Sequence, residues 1–277
     1  MHLPRRPLLI LITFLVLTFF LTYLFYSLQL FFSNIVLFNQ PLMVVLASYG
    51  PAFGAIITTL IFHEDLREFG WNLGNGRFYI LAIVFPLIIY PVYYGILWIA
   101  GYLQADPGYL SINLPLYMSA SFLAIFIVAL GEEIGWRGFL VPHVKAWTGS
   151  FLITCLFTGL IWAVWHYPFL ISRSRGGGVP LWFVYLDFTV GVVGIAFVYC
   201  WLRLASGSFW PCVLFHAVSD WVGSFLIPTV LKQVPIITPS AGYLGVELII
   251  DIIFPVAIAY GIYHYRNCIT GFPGCKI

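Results

Sequence analysis

The sequence predicts an all-α polytopic membrane protein, a bundle of about eight transmembrane helices. Three observations carry that prediction. Of 277 residues, 62% are hydrophobic and 8% charged, where a soluble domain carries about 25% charged residues. Mean hydropathy is +1.00. The apolar residues also gather into runs of about 20, the length an α-helix needs to cross a bilayer. The runs fall at 8–32, 41–62, 78–102, 114–143, 150–171, 181–203, 209–228 and 244–264. No loop between them is long enough for a soluble domain. The expectation is therefore a single transmembrane domain over 1–277, with a motif-bearing core at about 114–228.

The first run, Leu8 to Phe32, follows Arg5 and Arg6. A signal-peptide core spans only ~7–15 residues, so this run reads as a retained helix. The second carries Gly50 and Gly54, and the fourth carries Gly131 and Gly135. That spacing lets a neighbouring helix come close. The longest loops are 63–77, 103–113 and 229–243, and the glycines of 172–180 make it a flexible connector. Cys155, Cys200, Cys212, Cys268 and Cys275 form no CxxC pair, and no disulfide framework follows.

Lys and Arg set orientation. With the N-terminus inside, the inner face holds Arg5, Arg6, Arg67, Arg77, Arg137, Lys145, Arg203, Arg266 and Lys276, and the outer face Arg173, Arg175 and Lys232. Nine against three predicts both termini cytoplasmic, in the plasma membrane. A net charge of +2 is too small to suggest nucleic acid. The expected partners are the lipid bilayer and a peptide or protein substrate, lipid-modified or not.

The polar residues are few and patterned. Glu132, Glu133 and Arg137 close the fourth apolar run. A charge at membrane depth costs at least ~2.5–3.5 kcal/mol, so three in six residues need a function. On a helix Glu133 and Arg137 are i,i+4 neighbours and can pair, which frees Glu132. His166 lies in the fifth run, and His216 and Asp220 share a face of the seventh. Asp187, Glu247 and Asp251 are left outside the site. If runs four and five form a hairpin turning near Lys145–Ser150, Glu132 and His166 differ in depth by only ~5 Å. This needs the fourth helix to continue through Arg137. It also predicts a site in the inner part of the membrane, open to the cytosol.

These groups suit hydrolysis. A glutamate can act as general base towards water, and histidines with a carboxylate can hold a metal or meet an oxyanion. Other intramembrane protease signatures are missing. His63-Glu64 is not followed by the spacing of HExxH, and neither a GxSG nor a GxGD motif occurs.

Three motifs in order resemble the CPBP family, the CAAX-protease and bacteriocin-processing group also called Abi, which includes the prenyl-protein endopeptidase Rce. They are Glu132-Glu133-Ile134-Gly135-Trp136-Arg137 for EExxxR, Trp162-Ala163-Val164-Trp165-His166 for FxxxH, and His216-Ala217-Val218-Ser219-Asp220 for HxxxN/D. Trp162 replaces the usual Phe. Asp220 stands where prenyl-protein proteases usually have Asn, which weakens any transfer of CAAX specificity. The resemblance implies an intramembrane endopeptidase cutting near the cytoplasmic leaflet. It implies Glu132 as the base, with Glu133 and Arg137 supporting it. His166, His216 and Asp220 are implied as oxyanion partners or as ligands of a divalent cation, zinc first among candidates. A glutamate-dependent route without metal is compatible with the same residues. So are two other functions: a non-catalytic scaffold or bacteriocin-immunity protein of the same family, and a proton- or metal-coupled transporter. The transporter lacks visible inverted repeats.

Overall fold

A computed structural model describes residues 5–37, 40–101, 103–105, 114–174, 180–227, 231–233 and 246–270. Each predicted run is helical. Helix α1 spans Arg5–Leu28. The second run is a bent pair, α2 (Leu42–Ser48) and α3 (Gly50–Phe62), with 49° between them. Pro51 causes the break, because it has no N–H to donate back to the Ala47 carbonyl. The Thr22 hydroxyl of α1 donates to that carbonyl at 3.2 Å, beside a backbone N–H from the end of α2. A short 3₁₀ turn, Leu66–Phe69, follows, capped by the Asp65 carboxylate. Exposed Asp65 is held below the usual carboxylate range by its hydrogen bonds from Arg67.

Helix α4 (Gly76–Ile99) begins with the Asn75 side chain accepting from the Arg77 N–H. Helix α5 runs Leu114–Glu133 and passes into a π-helical turn, Ile134–Leu140, then α6, Val141–Thr148. The fourth run therefore continues through Arg137. Helices α7 (Phe151–Ser174) and α8 (Leu181–Ser206) follow, and Gly207 ends α8 at φ 69°. Helix α9 covers Trp210–Asp220, with Pro211 in its first turn, and a second π turn, Trp221–Leu226, extends it. Helix α10 runs Val246–Thr270.

The chain is thus an all-α polytopic membrane fold. By length and composition, five helices among the described residues suffice to cross a bilayer, or six if the bent pair is one span. The α9 run is not among them, and the 25-residue α10 enters that count only through Ile252–Tyr265. The count of eight therefore rests on helical continuity, not on eight independently sufficient spans. Two short ladders were not expected. Strands β1 (Val36–Leu37) and β2 (Gln40–Pro41) form a hairpin, and β3 (Leu103–Ala105) pairs antiparallel with β4 (Leu231–Gln233). The second ladder joins two of the loops the sequence left without structure.

One end of the bundle gathers the basic loops. Arg6 pairs with Glu64 at 3.0 Å. The Asn72 amide donates to the Gly207 carbonyl, and the Trp210 indole to the Trp71 carbonyl. Lipid-facing positions are large and apolar, as with Leu9, Val16 and Phe20 on α1 and Ile80 and Ile88 on α4. The buried core is aromatic, with Phe14, Trp136, Phe139, Phe69 and Trp165 in mutual contact. Cys155, Cys200 and Cys212 are buried and outside any disulfide. Arg175, Cys275 and Lys276 lie outside the described residues.

Candidate active site

The site forms where α5 enters its π turn. π-Helical geometry is rare and recurs at functional sites. Here all seven residues of the turn are buried. Two glycines let the α2–α3 junction press against it. A Cβ on Gly131 would meet the Tyr49 ring, and one on Gly135 the Pro51 backbone. This is the close approach that the glycine spacing predicted.

The two glutamates have separate surroundings. Glu133 is fully buried. Its Oε1 lies 2.7 Å from Arg137 Nη1 and 2.8 Å from His216 Nδ1. The Arg137 guanidinium also sits over the rings of Tyr199, at 3.7 Å, and Trp162, at 4.2 Å. Glu132 has a different partner: its Oε2 accepts from the Trp162 indole N–H at 3.0 Å. Glu132 also lines two cavities, of about 740 and 750 Å³.

The histidines converge on the same place. His166 lines both cavities. Its Nδ1 faces the Trp162 carbonyl at 2.9 Å. A carbonyl only accepts, so Nδ1 carries the proton there and Nε2 is the nitrogen free to act. His216 lines the second cavity, and its Nε2 is 3.4 Å from Asp220 Oδ2. Asp220 is half exposed and lines both cavities. His216 meets Glu133 through Nδ1, at 2.8 Å. Asp187 lines the second cavity although it was left out of the site.

Three other residues matter that sequence reasoning passed over. Trp162 looked like a bland aromatic exchange, yet it supplies a donor that Phe lacks. Tyr199 packs its ring against Trp162, His216 and the Arg137 guanidinium. Arg203 was counted among the loop cations. It is buried, and its Nε donates to the Arg137 carbonyl at 2.8 Å, while Nη2 donates to the Glu68 and Phe69 carbonyls. Its position at the inner end of the sixth apolar run was the only available signal.

The predicted metal ligands do not fit an ion as they stand. Among the described residues, no group of three His, Cys, Asp or Glu side chains is placed to hold one. His216 Nδ1 is taken by Glu133, which leaves Nε2, 3.4 Å from Asp220 Oδ2, as its one nitrogen towards an ion.

The predicted opening towards the basic loops also needs correction. The π turn, with Phe139, Phe69 and Phe209 at 0–2% exposure, closes that side. The cavities extend the other way, as far as Gln40 and Ala120.

Residues 114–222 match the family model described as type II CAAX prenyl endopeptidase, Rce1-like. The segment is Rce1-like. It bears out the CPBP resemblance over the stretch that contains all three motifs, well under half of the chain. No curated protein matches the chain. The Rce1-like segment holds α5, the first π turn, α6 to α9 and the first two residues of the second π turn, so it carries every catalytic candidate named above. It supports a CAAX-protease-like function acting on a peptide or protein within a multi-pass membrane protein.

Proposed function

We propose that this protein is an intramembrane endopeptidase in which Glu132 activates a water molecule. The observation that carries this reading is the division between neighbouring glutamates. Glu133 is enclosed by Arg137 and His216. Glu132 faces two cavities large enough for a peptide, with His166 beside it on both walls.

The water donates one hydrogen to the Glu132 carboxylate and the other to His166 Nε2. Its oxygen attacks the scissile carbonyl carbon as Glu132 takes the proton. The oxyanion that forms is met by the N–H at His216 Nε2, which gives up its 3.4 Å contact with Asp220 for it, while Nδ1 stays on Glu133. Glu132 then returns the proton to the departing nitrogen as the C–N bond breaks, which leaves a carboxylic acid and an amine. The indole of Trp162 holds one Glu132 oxygen so that the other points to the water. Glu133 and Arg137 fix the π turn that presents Glu132.

The test is Glu132→Gln at equal expression. Loss of a general base costs about 10²–10⁴-fold in rate. Cleavage at the wild-type rate would remove Glu132 from this role. Full biological activity of the uncleaving variant would instead favour a binding function.

A further inference from the structure

We propose that polypeptide substrates reach Glu132 from the face of the membrane opposite the basic loops, which the Lys/Arg asymmetry makes the non-cytoplasmic face. This rests on the hydrolytic reading of the site, but its geometry is independent of it. Both cavities share Glu132, His166, Phe169 and Asp220. Their innermost lining is Trp162, Tyr199 and Phe215, which pack around the carboxylate itself. Among the described residues, none between Glu132 and the basic end lines either cavity.

From that floor the cavities run one way only. Along α5 the lining passes from Glu132 through Val128, Ala124 and Ala120. Those positions climb about 18 Å towards the start of the helix. Gln40, in the β1–β2 hairpin, lines the first cavity at the same end. Asp187, near the start of α8, and Phe254, on α10, line the second.

Below the floor the molecule is shut. Ile134 to Val141 are all buried. Arg203 ties the Arg137 carbonyl to the Glu68–Phe69 turn. The Phe209 N–H donates to the Gly70 carbonyl at 3.3 Å, which closes the adjacent loop. An extended peptide cannot cross that layer without breaking these bonds. The basic loops lie beyond it, with Arg6, Arg67 and Lys145 at that end. Short cytoplasmic loops carry the excess of Lys and Arg that sets a membrane protein's orientation. The cavity therefore opens away from the cytosol.

Cysteine accessibility tests this without any need for hydrolysis. The full-length protein would carry Cys268→Ser and Cys275→Ser, which leaves the three buried thiols. Val128→Cys then reports the cavity, Ser121→Cys repeats it with a near-isosteric change, and Arg67→Cys reports the basic face. Each is exposed to a membrane-impermeant methanethiosulfonate in sealed right-side-out and inside-out vesicles. The expected result is labelling of Val128→Cys and Ser121→Cys in right-side-out vesicles, and of Arg67→Cys only in inside-out ones. Labelling of the cavity cysteines only in inside-out vesicles, or in neither, overturns the proposal. In that case a Glu132→Gln variant that fails to cleave would still leave the hydrolytic reading standing.

Discussion

Glu132 and Glu133 are adjacent in the chain, yet their surroundings differ. Glu133 is buried with a guanidinium and an imidazole against it. Removing one member of such a group leaves an uncompensated buried charge, which costs about 3–5 kcal/mol. Arg137→Ala strands Glu133 in this way and also strips the guanidinium from the Tyr199 and Trp162 rings. The expected outcome is a loss of about that size in an unfolding titration. Arg137→Lys should recover only part of it, since a compact ammonium does not stack as a guanidinium does. Trp162 acts on the other glutamate. Trp162→Phe keeps an aromatic ring against Tyr199 and His216 but removes the N–H that holds Glu132. A hydrogen bond to a charged group is worth about 1.5–3 kcal/mol, so kcat/KM should fall roughly 10- to 100-fold. Thermal stability should stay near wild type. An unchanged rate would mean that the indole serves only packing.

At the scale of elements, the site depends on how closely α3 can approach the π turn. Gly135 makes that contact with no room for a methyl group against the Pro51 backbone. Gly135→Ala must push the two elements apart, and overpacking of this kind costs about 1–3 kcal/mol. Gly95→Ala on α4 is the control, because a Cβ there meets nothing within 4 Å. It should be neutral, or stabilising by ~0.5–1 kcal/mol through the helix preference of alanine. Thermal unfolding in detergent separates the two. If Gly135→Ala unfolds with the control, the close approach is not what secures the turn. The second apolar run shows the same logic on α1. There Thr22 bridges the Ala47 carbonyl and the Trp165 indole, so one hydroxyl links α1, α2 and α7.

At the scale of the whole molecule, the arrangement is a sealed layer at one end and two cavities rising from it. The metal question belongs here, because ligands would have to come from α7 and α9 together. Protein purified without added metal should contain well under one ion per chain by elemental analysis, with no change on His166→Ala. One zinc per chain, lost on His166→Ala, would restore the metal-bound route.

Much of this was legible in the residues. Each of the eight apolar runs coincides with helix, because a bilayer leaves the backbone no other partner than itself. The Glu133–Arg137 pair and the His216–Asp220 neighbours followed from i,i+4 spacing on one helix. The three motifs pointed to hydrolysis before any contact was known. What spacing could not carry were the bonds between helices. His216 meets Glu133 across 83 residues of chain, and Trp162 meets Glu132 across 30. The pairing of β3 with β4 and the burial of Arg203 are of the same kind.

The sequence by itself determined a helical membrane protein and the resemblance of its motif-bearing stretch to a protease family. Only the tertiary structure decided which glutamate is enclosed, which indole holds the other, and which end of the bundle is open. The reason is physical. Period and hydropathy act along one helix, whereas charge pairing, desolvation and access are settled by the neighbours that packing brings from elsewhere in the chain.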